Sequence, residues 1–138
     1  MNAALSYEPA DFEPSFNVDP RNVARAVGAA SIVFGIVDIL YGERLRKVIG
    51  AEGAGGALFK AVGAREIATG IAAIVAPSHA APLWARFGGD LIDLAALSFV
   101  VAKPDNPKRG AAIATFALVA GVAVVDFLAA RHVARYAR

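Results

Sequence analysis

The chain has 138 residues, 57% hydrophobic and only 19% charged, with a mean hydropathy of +0.53, whereas soluble domains sit near about 45–50% apolar and 25% charged. The absence of cysteine excludes structural disulfides and thiolate metal sites. The formal charge of +2 does not point to nucleic acid, because the basic residues are scattered over the ends of apolar runs and form no continuous basic face.

Residues 1–20 hold Glu8, Asp11, Glu13 and Asp19, no Lys or Arg, and three prolines. Such a segment cannot bury a core and is read as a disordered or extended acidic tail. It has neither a basic n-region nor an apolar h-region, so a cleaved signal peptide is not expected. Tyr7-Glu8-Pro9 is echoed by Phe12-Glu13-Pro14, with Phe16 close behind. Rings beside stiffening prolines make Tyr7, Phe12 and Phe16 candidate contacts to a partner protein. The plainer alternative is a solvated tail.

Residues 21–138 are read as one all-α domain, a four-helix transmembrane bundle. Asp19-Pro20 signals a helix start, with Asp as the cap and Pro in the first turn. The helices are expected over 21–41, 54–75, 82–102 and from about 107 past 130, with Pro77 ending the second and Lys103-Pro104 the third. Each apolar run approaches the roughly 20 residues that cross a bilayer core. The first is read as the shortest, followed by Arg44-Leu45-Arg46-Lys47-Val48-Ile49 as a short amphipathic turn at the interface. The glycine-rich stretch after it lacks the Lys-Ser/Thr ending of a phosphate loop. Trp84, Tyr41 and Tyr136 fall near span ends, as interface aromatics do.

The first two helices align with each other. Arg25-Ala26-Val27-Gly28-Ala29 matches Lys60-Ala61-Val62-Gly63-Ala64, and Ile32, Gly35, Ile36 and Ile39 match Ile67, Gly70, Ile71 and Ile74. Successive spans run in opposite directions, so this is either an inverted repeat or a chance alignment of segments rich in Ala, Gly, Val and Ile. Gly28 and Gly35, like Gly63 and Gly70, are seven apart and share a helix face, and Gly121 with Ala114 and Ala117 offers a similar face on the fourth helix. Small residues let helix backbones approach closely in lipid, so all five glycines are candidate packing positions.

Ionisable groups inside the apolar runs are the candidate site: Arg65, Glu66, Arg86, Asp90, Asp93 and Asp126, with Asp38 nearer a span end. A charge at mid-bilayer costs about 2.5 kcal/mol or more, so such groups turn inward and pair. Arg65 is expected to meet Asp90 or Asp93, Arg86 to pair with Asp90 one turn on, Asp126 to reach Arg86 or Arg25, and Asp38 to meet Lys60. Carboxylates outnumber arginines here, so the neighbours Asp90 and Asp93 are expected to share a proton. The set is either a proton- or cation-handling site or a salt-bridge network that fixes helix register. Ser31, Thr69, Ser98 and Thr115 are expected to bond back to helix carbonyls, and no nucleophile, base and orienting group stand together. His79 and His132 belong to one membrane side but lack a third ligand, so neither a metal nor another cofactor is assigned.

Gly63-x-Arg65-Glu66-x-x-x-Gly70 and Trp84-x-Arg86-x-x-Gly89-Asp90-x-x-Asp93-Leu94 resemble motifs of a group of small bacterial four-helix membrane proteins similar to the DoxX-like superfamily. The resemblance covers the four helices and not the tail. It implies a four-span fold but no chemistry to carry over; a cyclase/dehydrase label borne by some members belongs to a fused soluble lipid-binding domain and is not transferred to these residues. The expected function is an accessory or scaffolding subunit of the cell (inner) membrane, with the lipid bilayer and either a membrane protein or a second copy as partners. The alternative is a small transporter or ion-handling protein using the charge network, and a membrane enzyme is the weakest candidate.

Overall fold

The computed structural model of the protein describes residues 18–53 and 55–137; the tail positions Tyr7, Phe12 and Phe16 lie outside the described residues. Among those residues there are four helices and no strand: α1 (Pro20–Ile49), α2 (Gly56–Val75), α3 (Ala81–Ala102) and α4 (Arg109–Tyr136). α1 packs on α2 and α4, while α3 packs on α4 and more loosely on α2. α1 and α4 are each long and apolar enough to cross a membrane. α2 and α3 are 20 and 22 residues long, but Lys60, Arg65 and Glu66, and Arg86, Asp90 and Asp93, interrupt their apolar sequence.

α1 begins as its sequence requires, with the Asp19 carboxylate accepting from the Arg21 N–H at 2.9 Å and Pro20 in the first turn. Its end differs from expectation. The helix continues through Ile49, which makes it the longest of the four at 30 residues. No proline stands between Tyr41 and Ile49, Gly42 is packed against Phe59, Glu43 and Arg46 pair at 2.9 Å one turn apart, and Arg46 and Lys47 suit the negative end of the helix dipole. Gly50 stops it in the left-handed region at φ 73°, a conformation that costs glycine little. Asn106 then fixes this end, donating to the carbonyls of Ile49 and Val100 at 3.0 and 3.1 Å and accepting from the Lys108 N–H at 2.8 Å. At the opposite end His132 Nε2 lies 2.9 Å from the Val18 carbonyl, which brings the start of α1 beside the end of α4.

The seam between α1 and α2 is a ladder of glycines. A Cβ built on Gly28 would lie 2.6 Å from the Gly70 carbonyl oxygen, and one on Gly70 lies 2.6 Å from that of Gly28. Gly35 and Gly63 repeat the arrangement at 2.5 Å in both directions. One turn-pair further, Gly42 sits against Phe59 and Gly56 against Glu43. Such reciprocity is what an inverted repeat requires of two antiparallel helices. The seven-residue spacing keeps every rung on the shared face.

The fourth helix does not use its glycine in this way. Gly121 is exposed with no atom within 4 Å of an added Cβ, and Ala114 and Ala117 are exposed too. α4 instead buries Ala112, Ala123, Asp126, Ala129, Ala130 and Val133. These alanines share the small-residue logic of the ladder but lie on the face that carries Asp126.

Small side chains and ionisable ones fill the interior, and large apolar ones face out. Ala24, Ala73, Leu83, Ala129, Ala130 and Val133 form an apolar cluster near the termini, and Ile49, Ala51 and Ala112 form another at the far end. Between them Arg86 is 2% and Asp126 1% exposed, whereas Ile92 is 68% and Phe99 78% exposed. A soluble domain buries Ile and Phe and leaves Arg and Asp outside; here that polarity is inverted.

Candidate functional site: a charged layer across the bundle

Arg86 is the hub of the interior. One Nη group pairs with Asp126 Oδ2 on α4 at 2.8 Å. The other donates to Glu66 Oε2 on α2 and to Ser31 Oγ on α1. Ser31 Oγ also lies 2.6 Å from the Glu66 carbonyl oxygen and 2.8 Å from Glu66 Oε2. A single guanidinium on α3 thus engages the other three helices. Its planar fork suits this, because it offers several donors in fixed directions.

Glu66 passes the network on. Its Oε1 accepts from Arg65 Nη2 at 2.9 Å, and Arg65 grips Asp93 with two bonds, Nη2 to Oδ2 at 2.7 Å and Nη1 to Oδ1 at 3.3 Å. Asp93, Arg65, Glu66, Arg86 and Asp126 therefore alternate in sign along one chain of contacts. Forked arginine–carboxylate pairs are among the stronger hydrogen-bonded ion pairs, and each buried member depends on its neighbours to offset lost hydration. Gly89 makes the geometry possible, since a Cβ there would lie 2.5 Å from Arg65 Cζ. The guanidinium lies across α3 where that helix has no side chain.

Asp90 stands apart from the alternation. It is buried, makes no ion pair, and has one carboxyl oxygen without a hydrogen-bond partner. Its carboxyl faces that of Asp126. Two arginines face four carboxyl groups in this layer, and Asp90 is the carboxyl that neither arginine pairs with. The expected side-by-side couple of Asp90 and Asp93 is not formed: Asp93 turns to Arg65, while Asp90 turns to α4. The expected Arg86–Asp90 ion pair is absent among the described residues: the two Nη groups of Arg86 turn to Ser31, Glu66 and Asp126, and its Nε has no partner.

Arg65 meets Asp93, one of its two expected partners, and Asp126 meets Arg86. Asp38 does not meet Lys60, which is exposed. The glycine ladder turns Asp38 inward, where its Cβ would lie 3.2 Å from a Cβ on Gly63. Thr69, Ser98 and Thr115 bond back to the carbonyls of Arg65, Ala95 and Ala111 at 2.9, 2.6 and 3.0 Å; Ser31 alone reaches across to another helix. The repeat holds the clue to Ser31, since the offset that takes Arg25 to Lys60 takes Ser31 to Glu66. Gly42 and Gly56 were equally legible, as one more step of seven from Gly35 and Gly63.

No family model, curated protein or solved structure matches the chain.

Proposed function

We propose that the chain is a four-span protein of the cell (inner) membrane, acting as an accessory or scaffolding subunit that associates with a membrane protein or with a second copy of itself. The carrying observation is the inverted polarity, with Glu66, Arg86, Asp90 and Asp126 buried while Leu40, Ile92, Phe99 and Leu118 face outward. In this proposal α2 and α3 also cross the bilayer, because Arg65, Glu66, Arg86, Asp90 and Asp93 turn into the bundle and the outward-facing Lys60 lies near the start of α2. Their lengths of 20 and 22 residues correspond to about 30 Å or slightly more at 1.5 Å per residue, the thickness of the hydrocarbon core. The two charged motifs keep the likeness to DoxX-like four-helix proteins as part of the same proposal. Near-complete pairing of Arg65, Glu66, Arg86, Asp93 and Asp126 favours a holding role for the charges.

Four spans put both termini on one side, in keeping with the Val18–His132 contact. Reporter fusions at the two ends should give the same location, and opposite locations would end the four-span proposal. The protein should also stay in the membrane fraction after alkaline carbonate washing; release would remove the bilayer from the account.

A second function, a small transporter or ion-handling protein, is favoured by one observation. A cavity of about 260 Å³ opens among the four helices and ends on Asp38 and Asp93. A separate cleft between α1 and α4 reaches Arg86 and Asp126. The charged layer thus has a void on either side, although Asp90 lines neither. Uptake by vesicles containing the purified protein, compared with empty vesicles, tests this second function.

A further inference from the structure

The cavity beside the charged layer has walls of one kind and a floor of another. Leu45, Phe59, Leu97 and Val119, one from each helix, contribute apolar surface, and Asp38 and Asp93 supply the carboxyl groups. The two acids differ. Asp93 is held by both Nη groups of Arg65, whereas Asp38 makes no ion pair among the described residues. One carboxylate of the cavity is neutralised from within and one is left to a ligand.

We propose that this cavity binds a monovalent organic cation, an ammonium head on a compact apolar body, with Asp38 taking the head and the helix walls taking the body. A bare inorganic cation fits poorly, since calcium-like ions need about 6–8 oxygen ligands and Arg65 already occupies Asp93. The Thr115 hydroxyl, the other polar group of the wall, is bonded to Ala111. A neutral or anionic body of the same shape would leave the Asp38 carboxylate in apolar surroundings without a counter-charge, a costly state. At about 260 Å³ the cavity lies just below the range of about 300–1,000 Å³ usual for small-molecule sites, which limits the body to a short alkyl chain or one ring. Charge selection at Asp38 deepens the transporter function proposed above and rests on it, but binding is measured without flux, so the two can fail separately.

The test is calorimetric titration of the full chain in an uncharged detergent with hexylammonium, hexanol and hexanoate. Hexylammonium should bind about tenfold more tightly than hexanol, because a desolvated charge pair is gained, and hexanoate should not bind. Asp38→Asn should erase the advantage of the amine while leaving hexanol unchanged. Ala96→Phe, which fills the cavity from α3 and keeps Asp38, should abolish binding of both. Equal affinity for amine and alcohol, amine binding unchanged in Asp38→Asn, or either ligand binding normally to Ala96→Phe would overturn the proposal. Amine binding as described but no amine uptake by vesicles would remove transport and leave the site standing.

Discussion

The α1–α2 seam and the α2–α3 seam hold the same helix by opposite means. Along the first, backbones touch at paired glycines, with isoleucine side chains packed beside each pair. Along the second, the backbones stand further apart and arginines and carboxylates fill the gap. In the bilayer proposed for this chain no hydrophobic drive would pull helices together, so close packing and polar bridges are the two forces available. Each seam relies chiefly on one of them. The glycine seam is closed by direct backbone contact, while the charged seam leaves room for a cavity lined by its own Asp93 and by Asp38 of α1. A chain that needs both rigidity and a site can divide the tasks in this way.

The largest expected effect is at the hub of the charged seam. Arg86→Met removes a guanidinium that serves three helices and leaves Glu66 and Asp126 without their shared partner. Breaking a buried pair from one side typically costs about 3–5 kcal/mol. Thermal unfolding in detergent should show a loss of that order, and Arg86→Lys should recover little of it, since an ammonium cannot fork between Asp126 and Glu66. A melting temperature unchanged in Arg86→Met would make the charged seam dispensable.

The glycine seam should respond less, and symmetrically. In Gly35→Val the new Cβ meets the Gly63 carbonyl at 2.5 Å and Ile67 at 2.7 Å; in Gly70→Val, its counterpart in the repeat, it meets the Gly28 carbonyl at 2.6 Å and Ile32 at 2.9 Å. Overpacking costs about 1–3 kcal/mol, and the two variants should agree to within experimental error because their surroundings are copies. Unequal losses would show that the repeat in sequence is not a repeat in energy.

Much of this division was legible in the chain. The spacing of Gly28, Gly35, Gly63 and Gly70 carried the packing face, and Asp19-Pro20, Pro77 and Pro104 marked helix limits. What pattern could not supply was rotation. Asp90 and Asp93 are three residues apart and sequence alone makes them partners, yet Arg65 draws one away and α4 receives the other. Asp38 and Lys60 lie near one end of their helices, but the glycine ladder turns Asp38 inward while Lys60 faces out. The length of α1 is hard to read for a related reason: 44–49 mixes charged and apolar residues, and only the cap at Gly50 distinguishes a continued helix from a separate turn.

Between the two seams, Asp90 gives a smaller and more discriminating effect. Arg86 keeps Glu66 and Asp126 without it, so Asp90→Asn leaves no cation unpaired, and the amide can donate to the Asp126 carboxyl it faces. A change within about 1 kcal/mol is expected, the range in which removing a typical hydrogen-bonding group falls. Asp126→Ala should cost several times more by the same measurement, because it strands Arg86 Nη2. Equal losses would mean that Asp90, and not Asp126, is the acid Arg86 depends on.

The smallest effect is expected at Gly121, and it separates packing within the chain from packing between chains. This glycine sits inside α4 with no neighbour within 4 Å of an added Cβ, so Gly121→Ala meets no clash. Alanine in a helix interior is favoured over glycine by about 1 kcal/mol, and the melting temperature should hold or rise slightly. Gly63→Ala carries the same propensity gain but places its Cβ 2.5 Å from a backbone oxygen, so it should fall. The contrast isolates contact from propensity, because the substitution is identical and only the surroundings differ. If Gly121→Ala destabilises as Gly63→Ala does, the outer face of α4 is covered, and a second copy of the chain is the partner the accessory proposal supplies. Light scattering of the two variants in detergent then decides: a covered face loses its oligomer at Gly121→Leu, and an uncovered one keeps the same mass throughout.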